Sequence, residues 1–114
     1  MAKQIKVGVV GCGYWGPNLI RNFRSLPDCS LKMMCDLSEN RLTHLRTHYP
    51  EVEGETNYNH MLNGVGLDAV IIATSVRSHY PMAKASLLAG KHTFIEKPMA
   101  ASSRECEELI EIAR

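Results

Sequence analysis

Apolar positions along this chain switch repeatedly between short β-branched runs and stripes at helical spacing. Residues 4–10 (Q-I-K-V-G-V-V) form a short β-branched run bounded by Gly11, which predicts a buried strand. Behind the glycines, Leu19, Ile20, Phe23 and Leu26 recur with the period of a helix. Pro17 fits only a first helical turn, where its missing N–H has no partner to lose. The helix is therefore predicted to begin close to Gly13 or Tyr14 and to end before Pro27. Residues 30–35 (S-L-K-M-M-C) read as a second strand ending at Asp36. Ser38 can cap the next helix, with Glu39 favourable in its first turn; that helix carries Leu42 and Leu45 and stops before Pro50. The less regular stretch 51–66 is expected to hold a short strand near Glu55 and Thr56 and a short helix over 59–62.

The second half repeats the alternation. Residues 68–74 (D-A-V-I-I-A-T) predict a strand. A helix is expected from Ser78, with Pro81 in its first turn, Met82, Ala85, Leu88 and Ala89 facing inward, and Gly90 as its stop. Residues 92–96 (H-T-F-I-E) predict another strand. Ser102 and Glu105 have the spacing of a capping box, and Cys106, Leu109, Ile110 and Ala113 follow as an amphipathic stripe. Strands alternating with helices imply an α/β fold, a doubly wound parallel sheet with helices on both faces. The expected order puts the second and third strands on one side of the first and the 68–74 strand on the other.

Composition narrows the class. The 114 residues make one domain, with a formal net charge of +1, 45% hydrophobic and 22% charged residues. No basic excess points to nucleic acid and no polybasic block points to a membrane. The start M-A-K-Q lacks the apolar region of a signal peptide, and no run approaches the length that spans a bilayer; a cytoplasmic location is expected. Cys12, Cys29, Cys35 and Cys106 form no C-x-x-C and are expected to be reduced. His44 and His48 lie one helical turn apart without the glutamate of H-E-x-x-H, so no metal site is expected.

Candidate chemistry centres on G-C-G-Y-W-G, residues 11–16. Such a glycine series is informative only with a strand before it, a helix after it and an acidic residue about 20 residues on. All three conditions hold, the acid being Asp36. Gly11 permits the tight turn, Gly13 lets backbone approach a pyrophosphate, and Gly16 allows close packing of helix on strand. The helix N-terminus offers N–H groups to the phosphates, and Asp36 can accept from both ribose hydroxyls. A flavin dinucleotide or S-adenosylmethionine could use a similar turn. A second constellation separates them: A-T-S-V-R-S-H (73–79) and E-K-P (96–98) both close parallel strands at their carboxyl ends, where ligands of open α/β sheets bind. Lys97 can there bond a substrate hydroxyl and assist its proton transfer.

These pieces, with A-G-K-H-T-F-I-E-K-P (89–98), resemble the N-terminal NAD(P)-binding Rossmann domain of the Gfo/Idh/MocA oxidoreductases, collinearly over essentially the whole chain. Residues 14–23 (Y-W-G-P-N-L-I-R-N-F) look like members that oxidise the 3-hydroxyl of nucleotide-linked N-acetyl sugars. The resemblance implies that Gly11, Gly13, Tyr14, Trp15 and Gly16 line the pyrophosphate loop and that Asp36 takes the adenosine ribose. It puts Arg41 over the adenine, or on a solvated helix face. Thr74, Ser75 and His79 would border the nicotinamide half with Glu96 nearby, His79 alternatively serving only the helix start and Trp15 only packing. Lys97 would be the catalytic lysine, its loop fixed by Pro98. NAD is the expected cofactor, NADP less so, because a carboxylate at Asp36 repels a 2′-phosphate. Family members carry a second α/β domain that supplies most contacts to a sugar-type substrate and commonly the oligomer interface. The chain is accordingly expected to be the cofactor domain of a longer, homo-oligomeric dehydrogenase and to be inactive alone. The competing expectation is a non-catalytic dinucleotide-binding sensor or regulatory module.

Overall fold

The computed structural model describes residues 4–13, 16–64 and 66–114. Tyr14 and Trp15 of the glycine loop lie outside the described residues. Strands β1 (Ile5–Val10), β2 (Cys29–Cys35), β3 (Glu53–Glu55), β4 (Ala69–Ile72) and β5 (His92–Ile95) alternate with helices α1 (Gly16–Ser25), α2 (Glu39–His48), α3 (Tyr58–Gly64), α4 (Val76–Leu88) and α5 (Ser103–Ala113). Every pairing is parallel and the order is β3-β2-β1-β4-β5. The doubly wound sheet expected from the alternation is the one that forms. Its order reverses at β1, and that reversal opens a crevice at the carboxyl ends of β1 and β4.

Each face of the sheet has its own core. Val7, Val9, Leu31, Met34 and Ile71 pack with Ile20 of α1 and with Leu42 and Leu45 of α2. Val10, Met33, Cys35, Val70 and Ile72 pack on the other face with Met61, Ala83 and Leu109 of α3, α4 and α5. Regular alternation would send Leu31 and Met33 to the same face. A bulge prevents this: Val7 pairs with Leu31, Gly8 pairs with Met33, and Lys32 between them is exposed and unpaired with β1. That extra residue lets a lysine sit in a strand that is otherwise buried from Leu31 to Cys35.

Helices α4 and α5 differ in detail from the sequence expectation, and α3 runs longer than the 59–62 expected. α4 begins at Val76, so Pro81 falls in its second turn rather than its first. The carbonyl deprived of a partner there belongs to Arg77, which is exposed and open to water. Its buried face is formed by His79, Ala83 and Ser86, with Leu88 and Ala89 exposed. Ser86 can face inward because its hydroxyl pairs with that of Thr93 at 2.8 Å. Gly90 ends the helix as expected, at φ +78°, with Gly90 N–H donating to Leu87 and Lys91 N–H to Ser86. In α5, Ser102 Oγ accepts from Glu105 N–H at 3.2 Å, but the return bond reaches Ala101 N–H instead of Ser102 N–H. The predicted stripe also shifts there: Leu109 is buried, Cys106 and Ile112 are half-buried, and Ile110 and Ala113 face outward.

Candidate functional site

Four residues stand at the carboxyl rim of the sheet because each continues a ladder by one bond. Gly11 N–H donates to Cys35 O, Asp36 N–H to Glu55 O, Ala73 N–H to Val10 O and Glu96 N–H to Ile72 O, at 2.8, 3.1, 2.8 and 2.9 Å. The glycine turn, the acid, the residues after β4 and the loop holding Lys97 thus start from one level.

The turn depends on its glycines in different ways. Gly11 has φ +95°, and a Cβ there would lie 2.6 Å from the Ala73 carbonyl carbon. At Gly16 a Cβ would come within 1.8 Å of the Gly11 carbonyl oxygen, so the start of α1 packs directly on the turn. Among the described residues, a Cβ at Gly13 would meet only the Arg41 guanidinium, at 3.2 Å. The space above Gly13 is therefore bounded by a movable side chain, which is the room a cradled phosphate requires.

Asp36 is 9% exposed, and each carboxylate oxygen accepts a backbone N–H at 2.8 Å: Oδ2 from Cys12, Oδ1 from Ser38. The carboxylate ties the glycine turn to the start of α2 and retains lone pairs toward the crevice. Arg41 Nη1 lies 3.8 Å from Oδ2 on a side chain that is 60% exposed. Ser38 caps α2 by accepting from Arg41 N–H, which fixes where Arg41 leaves the helix. The Cys12 and Cys35 thiols beside this carboxylate are pushed up to about 12, first by burial and then by neighbouring negative charge. They are packing groups at neutral pH, not nucleophiles.

The crevice has a volume of about 660 Å³. Gly11, Gly13, Asp36, Arg41, Thr74 and Ser75 all line it. Leu37, Thr56, Tyr58 and Met82 line it too, outside the candidate site residues that the motifs point to. Their signal was positional, since they follow β2, β3 and β4 at the carboxyl side. Tyr58 O–H donates to Met82 O at 2.7 Å, and burial raises the phenol's pKa, so it remains a donor. Gly16, His79, Glu96, Lys97 and Pro98 are not lining residues. Gly16 sits behind the turn. His79 is 2% exposed under the rim, its Nδ1 2.6 Å from Pro98 O and its Nε2 2.9 Å from Thr74 O. Lys97 is exposed after β5, its N–H donating to Glu96 Oε1 at 3.2 Å, and the Lys97–Pro98 peptide is cis.

A parallel sheet that reverses at β1, with a glycine turn and a buried acid at the reversal, defines a dinucleotide-binding domain. Residues 5–114 match the Gfo/Idh/MocA family, described as an oxidoreductase family with an NAD-binding Rossmann fold, and the chain belongs to it. GenD2 from gentamicin A biosynthesis, solved with NAD, superposes with a TM-score of 0.92 at 26% identity, over 99% of this chain and 32% of that one. Scyllo-inositol dehydrogenase from Lactobacillus casei, solved with NAD(H) and scyllo-inositol, gives 0.89 at 25% identity, over 96% and 33%. A protein of Shewanella sp. (strain ANA-3) named glycosyl hydrolase family 109 protein 2 is 31% identical over 96% of this chain and 26% of its own length. The chain thus spans a quarter to a third of the length of these relatives. Among the described residues, no helix is long and apolar enough to cross a membrane.

Proposed function

We propose that this chain is the cofactor-binding part of an enzyme that oxidises a hydroxyl of a sugar, nucleotide-sugar or cyclitol-like substrate, with NAD as hydride acceptor. The observation that carries the reading is the crevice, where a glycine turn faces a buried carboxylate, with an exposed lysine on the loop after β5. Gly11 and Gly13 would hold the pyrophosphate, and Asp36 would accept from the adenosine ribose hydroxyls. Lys97 would bond the reacting hydroxyl and take up its proton as the carbon–hydrogen bond breaks. Bound NAD supplies the acceptor for the hydride. A second domain would hold the substrate, as the length of the relatives suggests. The NAD(H) and scyllo-inositol bound to one structural relative support a cyclitol or sugar as the substrate class. A pure redox sensor has no use for Lys97, which favours the enzyme.

NAD should bind more tightly than NADP, because Asp36 repels a 2′-phosphate by about 1–3 kcal/mol, or about 5- to 150-fold in affinity. Arg41 beside it would soften that repulsion. The test is calorimetric titration with both cofactors, followed by absorbance assays of the full-length protein with NAD and either scyllo-inositol or UDP-N-acetylglucosamine. Equal or tighter NADP binding refutes the cofactor assignment. Wild-type turnover by Lys97→Ala refutes the role of the lysine. The hydrolase name of the Shewanella relative supports a second reading, cleavage of a glycosidic bond. It predicts release of p-nitrophenol from a p-nitrophenyl glycoside without accumulation of reduced nicotinamide.

A further inference from the structure

His79 is a titratable side chain only 2% exposed, and the chemistry proposed above does not use it. Burying an imidazole is costly unless its nitrogens are bonded. Here both face main-chain carbonyls on different loops: Thr74 O at 2.9 Å, after β4, and Pro98 O at 2.6 Å, after β5. A carbonyl oxygen can only accept, and a neutral imidazole carries one N–H, so donation to both sides takes the doubly protonated ring. No other side chain of this size sets nitrogen donors on opposite edges of a rigid plane. The two loops it spans have different tasks. Thr74 and Ser75 form a wall of the crevice, whereas Pro98 directly follows Lys97. The adjacent strands β4 and β5 fix the loops only as far as the Glu96 N–H bond to Ile72 O. Past that bond, the imidazole spans from the cofactor wall to the lysine loop.

We propose that His79 is a positioning residue that holds the Lys97 loop at a fixed offset from the crevice wall and thereby sets where Lys97 meets a substrate. It touches neither cofactor nor substrate, and it acts through Lys97. The inference rests on the role of Lys97 proposed above. A misplacement of about 1 Å can cost about 100-fold in turnover, so a loss on the order of 10- to 100-fold is expected when the tie is cut.

The test is a double-mutant cycle in the full-length protein, with NAD reduction followed using scyllo-inositol and UDP-N-acetylglucosamine. His79→Phe keeps the ring shape and removes both donors; His79→Gln restores an amide donor. Turnover should fall 10- to 100-fold in His79→Phe with NAD affinity within about threefold of wild type, and recover partly in His79→Gln. In the Lys97→Ala background His79→Phe should cost nothing further. Equal losses in both backgrounds would reduce His79 to packing and leave the role of Lys97 intact. No loss from Lys97→Ala alone would overturn both readings. A measurement on the unsubstituted chain needs no variant to fold and no substrate: NMR couplings across the hydrogen bonds, from the His79 ring nitrogens to the Thr74 and Pro98 carbonyl carbons, should both be present. The absence of either overturns the proposal.

Discussion

Replacing Asp36 with alanine tests whether the residue that would recognise the ribose also holds the site together. The carboxylate accepts two backbone N–H groups at 2.8 Å from a side chain that is 9% exposed. Hydrogen bonds to a charged group contribute about 1.5–3 kcal/mol each, and a buried donor left without a partner costs about 1–3 kcal/mol. The Cys12 bond is buried and the Ser38 bond partly so, so water can replace only the second. The Arg41 pair adds little, because that side chain is mostly in solvent. The expected cost is about 2–4 kcal/mol. At roughly 4 °C per kcal/mol for a domain of this size, that is a fall in Tm of about 8–16 °C. Urea unfolding followed by circular dichroism measures the loss, and calorimetry on the same sample measures cofactor affinity. The NAD preference should narrow at the same time, since the repulsive charge is gone. A variant within about 0.5 kcal/mol of wild type would show that the two bonds contribute almost nothing and that Asp36 is free to serve the ligand alone.

Four further outcomes are expected. Gly16→Ala should destabilise the chain by about 2 kcal/mol or more, because its Cβ would fall 1.8 Å from the Gly11 carbonyl oxygen; Gly13→Val should keep its circular dichroism and lose NAD, and NAD affinity retained by that variant would contradict the cradle. Stability should fall as pH rises from about 9 toward 12, because the folded chain keeps protons on Cys12 and Cys35 that the unfolded chain releases; urea midpoints unchanged between pH 8 and 10.5 would refute this. Residues 1–114 alone should bind NAD and give no measurable reduced nicotinamide with the substrates named above, and robust turnover would refute the need for a second domain.

The order of the sheet and part of the crevice wall were legible because they rest on local signals. β-branched runs, glycines and caps at Ser38 and Ser102 specify elements without reference to the rest of the fold. What escaped depends on contacts between elements. The bulge at Lys32 answers to the pairing of β1 with β2. The buried face of α4 answers to its packing on the sheet, and its start at Val76 was obscured by Pro81, which suggests a first turn further on. Tyr58 and Met82 share a hydrogen bond across 24 residues, and nothing in either neighbourhood signals it. His79 was visible as part of a motif, but its burial and its two carbonyl partners exist only in the folded chain.

The unpaired Lys32 has a consequence for how the acid is placed. The bulge lies between the point where the chain enters β2 and the point where it reaches the rim. Removing that one residue would bring Met33 directly after Leu31 and leave every pair from Met33 to Cys35 as it is. The carboxyl half of β2 is thus insulated from changes of chain length upstream, and Asp36 takes its position from Cys35 and Glu55 rather than from a count of residues after the glycines. The number of residues between turn and acid is then a loose ruler for finding such sites, and the ladder bonds at the rim are the strict one.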